Sequence, residues 1–122
     1  MNKQITYFQN KLDYEMDPFD LFTAMDKGDD VIPLDTRKSA AYEMEHIPGA
    51  ISLPHREIDE KSTGRLDKTK TYACYCKGVG CNASTRGALK LSKLGFKVKE
   101  LDGGIVCWKS DGYPTEGTHS SG

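Results

Sequence analysis

A six-residue apolar and aromatic run, Thr71-Tyr72-Ala73-Cys74-Tyr75-Cys76, passes through a glycine-bearing loop straight into a helical pattern. The run reads as a buried strand, and Ala88, Leu91 and Leu94, with Leu89, keep helical spacing across Ser84 to Leu94. This order puts a thiol at a strand end, then a loop, then a helix start. Glycines in the loop let backbone amides turn inward, and the helix start adds partial positive charge. Such surroundings stabilise a thiolate and lower its pKa from the free value of about 8.5. The segment from Cys76 to Arg86 is therefore a cradle for a nucleophilic cysteine.

The chain has 122 residues, which suits one domain with a real hydrophobic core. A formal net charge of −1 gives no case for nucleic acid or for an anionic membrane as partner. No apolar stretch approaches the roughly 20 residues that a bilayer span needs. The opening segment, Met1-Asn2-Lys3-Gln4-Ile5-Thr6, lacks the apolar core of a signal peptide. These features point to a cytoplasmic, reducing setting. There Cys74, Cys76, Cys81 and Cys107 read as thiols rather than as a disulfide framework.

Residues 1–16 are polar and mixed, a lead-in segment with room for an edge strand. Asp17-Pro18 opens a helix that stops near Gly28. Val31 to Asp35 suits a short buried strand, although Pro33 removes one ladder donor. Ser39 to Glu45 suits a short helix with Ser39 as cap. Ile47 to Pro54 reads as a turn and a short strand, followed by a helical turn over Arg56 to Glu60. After the cysteine segment, Phe96 to Leu101 alternates as a strand, and Asp102-Gly103-Gly104 breaks it before a closing helix over Ile105 to Ser110. Residues 115–122 are small and polar, and read as a frayed tail. Strands alternating with helices at these lengths predict an α/β fold, a parallel sheet flanked by helices on both faces. Sites in such sheets form at the carboxyl ends of the strands, where the loop after Cys76 falls.

Four motifs in order resemble a known family, the single-domain rhodaneses, which are sulfurtransferases. Val31-Ile32-Pro33-Leu34-Asp35-Thr36-Arg37 resembles the family's strand ending in Asp-x-Arg. His46-Ile47-Pro48-Gly49-Ala50 resembles its His-Ile-Pro-Gly-Ala segment, and Gly103-Gly104-Ile105-Val106-Cys107-Trp108 resembles its Gly-Gly-x-x-x-Trp closing motif. The cysteine loop lies between them, and the resemblance spans roughly residues 17–114. It implies a rhodanese-like fold and a persulfide mechanism without a cofactor. A thiolate takes the outer sulfur of a small sulfur-containing anion such as thiosulfate and passes it to a thiophilic acceptor: cyanide, a thiol or a protein cysteine. The loop amides hold the anionic intermediate.

The loop departs from the commonest family pattern, in which four residues separate the cysteine from Arg-Ser. Cys76 stands two residues further upstream, and Ala83 occupies the place of the loop arginine. It resembles instead a subgroup with a Cys-x-Gly-x-x-Cys-Asn loop. Cys76 is the first choice as nucleophile, and Cys81 is a second nucleophile, a resolving thiol or a passive neighbour. Lys77, Gly78, Val79, Gly80, Asn82 and Arg86 line the expected substrate loop. Arg86 suits a sulfonate or phosphate group, while Asn82, Ser84 and Thr85 suit helix caps. Structural roles fall to Asp35 and Arg37 as loop braces, His46 as a turn residue, Gly103 and Gly104 in the strand break, and Trp108 as a core anchor. Cys74 and Cys107 read as packing thiols.

Three other chemistries compete. A phosphatase-like or arsenate-reducing site wants Cys-x5-Arg, but that position is Asn82 from Cys76 and Gly87 from Cys81. A redox-sensing or non-catalytic module would use the Cys76/Cys81 pair alone. Zinc is the weakest reading, because Cys-x-Cys-x4-Cys lacks the usual pair spacing, and no metal is expected.

Overall fold

The computed structural model describes residues 2–119. Its strands are β1 (Glu15–Met16), β2 (Val31–Asp35), β3 (Ile51–Ser52), β4 (Thr71–Tyr75) and β5 (Lys97–Leu101). They form one sheet in the order β1-β5-β4-β2-β3, and each neighbouring pair is parallel. The helices are α1 (Lys3–Tyr14), α2 (Pro18–Asp26), α3 (Ser39–Met44), α4 (Ala83–Lys93) and α5 (Gly104–Ser110), with one 3-10 turn at His55–Glu57.

The cysteine strand is central, as its continuous apolar run requires. Its side chains alternate between two cores. Ala73 and Tyr75 pack with Leu21 of α2, Ile105 and Trp108 of α5, Ile47 and Leu101. Tyr72 and Cys74 pack on the other face with Leu34, Leu53, Ile58, Phe96 and Leu91 of α4. Both sheet faces are covered, so the parallel sheet flanked by helices expected from the sequence is present. In-register pairing of Asp35 with Tyr75 and of Cys74 with Glu100 brings three strand ends to one edge. Thr36, Cys76 and Asp102 follow directly.

Local chemistry explains most boundaries. Asp17 accepts from the Asp20 amide at 2.8 Å and starts α2, with Pro18 in its first turn. Pro33 sits inside β2 because β3 pairs only with Leu34 and Asp35, so nothing on that side asks Pro33 for a donor. Ser39 does not cap α3: Lys38 holds that position and makes no side-chain cap bond. In the lead-in segment, Asn2 caps a full helix, α1, through the Gln4 amide at 2.8 Å, and β1 is the edge strand. None of the residues of α1 is buried, and Ile5, Phe8 and Leu12 stand exposed along it. The expected fraying does not hold at 115–119. His46 and Glu116 form an antiparallel bridge, and the amides of Thr118 and His119 donate to the carbonyls of Glu43 and Met44. Residues 120–122 of that segment lie outside the described residues. Among the described residues no helix is long and apolar enough to cross a membrane.

Candidate functional site

Cys76 follows β4 and is 2% exposed, whereas Cys81, at the end of the loop, is exposed. The loop folds back through a hydrogen bond from the Cys81 amide to the Gly78 carbonyl at 3.2 Å. Gly80 turns it with φ +89°, a left-handed value that suits glycine. The return brings the two residues together: their Cα atoms are 6.5 Å apart and their sulfurs are joined as a disulfide. The Cys76 sulfur also lies 3.3 Å from the Cys81 carbonyl oxygen. The structure therefore pairs Cys76 with Cys81 where the sequence reading expects free thiols. Lys77 and Val79 point outward at the tip.

The other wall comes from α5. The amides of Ile105 and Val106 donate to the carbonyls of Cys76 and Lys77 at 3.0 and 2.9 Å. Only glycine permits that approach at residue 104. A Cβ there would collide with the Cys76 carbonyl oxygen and stand 2.7 Å from Lys77, and its φ is +58°. A Cβ on Gly103 would collide with the Cys107 sulfur.

At the start of α4 the expected capping is replaced by other contacts. Asn82 occupies the cap position without a side-chain cap bond, and its carboxamide oxygen accepts from Arg86 Nε at 3.2 Å. Ser84 and Thr85 donate their hydroxyls to Glu100 on β5, at 3.1 and 2.9 Å. No side chain therefore caps the first-turn amides, and the helix dipole leaves partial positive charge beside Cys81.

Two cavities meet at Cys81. One, about 130 Å³, is bordered by Cys76, Cys81, Gly78, Gly104, Glu100 and Asp102. Partial burial and the adjacent Glu15 carboxylate push Asp102 up to about 7. The other, about 510 Å³, is bordered by Cys81, Arg37, Lys38, His55 and Arg56, with Glu57 as the one carboxylate.

The residues read as structural lie away from the sulfurs, with three exceptions: Gly103 and Gly104 on the smaller cavity, and Arg37 on the larger. Asp35 is fully buried, and Arg37 forks onto it through Nε at 3.0 Å and Nη2 at 2.7 Å, with Nη2 also donating to the Glu45 carbonyl. His46 stacks on Tyr42 at 3.8 Å, and its Nδ1 lies 2.7 Å from the Tyr42 carbonyl. Trp108 is buried and donates from Nε1 to the Pro114 carbonyl at 2.7 Å. Burial, aided by Glu100, pushes the Cys74 thiol up to about 12, which leaves it protonated and unreactive at neutral pH. Cys107 packs over Gly103. Among the described residues no cluster of three or more His, Cys, Asp or Glu is arranged to hold a metal ion.

Six charged or titratable wall residues escape a reading of the sequence: Lys38, His55, Arg56, Glu57, Glu100 and Asp102. Asp102 carried a signal, because it belongs to the Leu-Asp-Gly-Gly segment next to the closing helix. The rest sit in segments that read as ordinary turns or strand.

Residues 19–111 match the family profile of the rhodanese-like domain. The chain is 36% identical over 91 residues to the thiosulfate sulfurtransferase GlpE of Coxiella burnetii, covering 73% of this chain and 80% of that protein. It is 30% identical over 87 residues to the HTH-type transcriptional regulator Rv0324 of Mycobacterium tuberculosis, covering 71% of this chain. It spans only 38% of that regulator and 51% of a Synechocystis protein that it also matches. Among solved structures, the BH2092 protein from Bacillus halodurans superposes with a TM-score of 0.92 at 42% identity, over 98% of this chain and 88% of that one.

Proposed function

This chain belongs to the rhodanese-like domain family, and from that premise we propose that it is a sulfurtransferase working through a persulfide on Cys76. The observation that carries the reading is a cysteine pair at the carboxyl end of the central strand, open on one side to a cation-bordered cavity. With the pair reduced, the Cys76 thiolate attacks the outer sulfur of thiosulfate. The sulfur–sulfur bond breaks, sulfite leaves with its electron pair, and Cys76 keeps the sulfur as a persulfide. An acceptor thiolate or cyanide then attacks that outer sulfur and releases Cys76 as thiolate, so no outside oxidant or reductant enters. Arg56 and Lys38 attract the anionic donor, and the uncapped amides of α4 favour negative charge beside the loop. Lys77, Gly78, Val79, Gly80 and Asn82 shape the loop, and Arg86 adds positive charge beyond it. A cytoplasmic, reducing setting suits this chemistry, because the pair reacts only when reduced. Sulfite release from thiosulfate and cyanide tests it: turnover is expected from the reduced protein and none from Cys76→Ser.

The Cys76–Cys81 disulfide favours a second reading, a redox-sensing module that does not turn over sulfur. Its mark is a disulfide that forms reversibly in mild oxidant, with no sulfite release after reduction.

A further inference from the structure

Between α4 and the 3-10 turn runs a groove of about 530 Å³, bordered by His55, Arg56, Asn82, Arg86, Lys90 and Lys93. Asn82, Arg86, Lys90 and Lys93 recur every three or four residues, so they share one face of α4 over about 16 Å. Among the described residues Arg56, Arg86 and Lys93 face no carboxylate within ion-pair distance. Arg86 reaches only Asn82, and Lys90 donates to the His55 carbonyl at 2.8 Å. Burial, together with Lys90, Arg56 and Arg86, holds the His55 imidazole below its ordinary value. A chain of net charge −1 has therefore gathered an unbalanced positive strip here. His55 and Arg56 also border the cavity that contains Cys81, so the strip leads to the cysteine pair.

The geometry points to a docking groove for an extended, acidic segment of a partner protein, which delivers that partner's cysteine to the site. A small dianion such as thiosulfate is only a few ångströms long and fits the Cys81 cavity alone. Charges spread over about 16 Å match the repeated carboxylates of a strand-like segment of about five residues. Nucleic acid is disfavoured, because the groove offers no Phe, Tyr or Trp face for stacking bases and its single ring is the His55 imidazole. The delivery role rests on the sulfur-transfer reading, whereas docking stands apart from it. In the transfer, the partner's thiolate attacks the outer sulfur of the Cys76 persulfide, a new sulfur–sulfur bond forms on the partner, and Cys76 leaves as thiolate.

Fluorescence anisotropy of a labelled Asp/Glu-rich peptide on the full chain tests docking without any sulfur chemistry. The acidic peptide should bind, lose binding at high ionic strength, and bind about tenfold more weakly to the Arg56→Glu/Lys93→Glu double variant. Equal binding of acidic and neutral peptides, indifference to the double variant, or tighter binding of a single-stranded oligonucleotide would overturn the inference. A second arm follows sulfur delivery from preloaded Cys76. Lys93→Glu should slow delivery to a cysteine-bearing acidic peptide about threefold and leave turnover with cyanide unchanged. Failure to load sulfur would sink the sulfur-transfer reading alone, since the anisotropy result decides docking by itself.

Discussion

Of the two cavities that meet at Cys81, the one that also touches Cys76 is small and bordered by Glu100 and Asp102. The other is about 510 Å³ and bordered by Arg37, Lys38 and Arg56. Two unit charges 4 Å apart near a protein surface interact by about 4 kcal/mol, so a sulfur dianion is drawn in along the larger cavity and meets the cysteine pair from the Cys81 side. The contrast gives the site a direction: anions approach from the α4 and 3-10 side, and the β5 side holds a proton near neutrality. It also separates reach from reactivity, because the accessible thiol is Cys81 and the sheltered one is Cys76.

The largest effect is expected on removing Arg37, which underlies the cationic wall. Arg37→Ala leaves the fully buried Asp35 without its partner. Urea unfolding should show a loss of about 3–5 kcal/mol; a loss below about 1 kcal/mol, the range of an exposed pair, would mean the wall does not depend on this brace. On the opposite wall, Gly104→Ala forces a Cβ against the Cys76 and Lys77 backbone. A stability loss of about 1–3 kcal/mol is expected, with faster alkylation of Cys76 as its shelter opens.

Asp102 sharpens the difference in proton handling. Its carboxyl is raised to about 7 in the folded chain and has an ordinary value near 3.8 when unfolded. The folded state therefore holds a proton that the unfolded state gives up, and stability falls as pH rises from about 4 through 7. Thermal melts of Asp102→Asn should lose that decline between about pH 4 and 7, and an unchanged pH slope would show that Asp102 does not hold the proton. The smallest effect belongs to Arg56→Ala, which should raise the thiosulfate KM about threefold and leave kcat alone, as loss of one exposed charge does. A change in kcat instead would move Arg56 from donor attraction into the chemistry.

Much of this was legible in the chain. The central strand follows from the run Thr71 to Cys76, and the site's position follows from parallel strands ending together. Glycine at 104 was part of a readable motif, although its reason, the contact with Cys76, is a tertiary one. Other features were hidden because they arise between distant segments. Ser84 and Thr85 look like caps until Glu100, from the next strand, arrives to accept their hydroxyls. The tail looks frayed until Glu116 meets His46. Lys38, His55 and Arg56 look like solvated turn residues, and only the packing of α4 against the 3-10 turn gathers them with Arg86 into one positive region. The helix of the lead-in segment was hidden because its apolar residues Ile5, Phe8 and Leu12 are scattered among polar ones, and none of them is buried in the fold.

The most direct measurement is the mass of the reduced protein after thiosulfate, in wild type, Cys76→Ser and Cys81→Ser. A gain of about 32 Da, one sulfur atom, is expected in wild type and Cys81→Ser and none in Cys76→Ser. Loading that disappears only in Cys81→Ser would move the nucleophile to the exposed thiol at the start of α4. No loading in the reduced wild type would contradict sulfur transfer from thiosulfate and leave the redox-sensing pair as the function of the site.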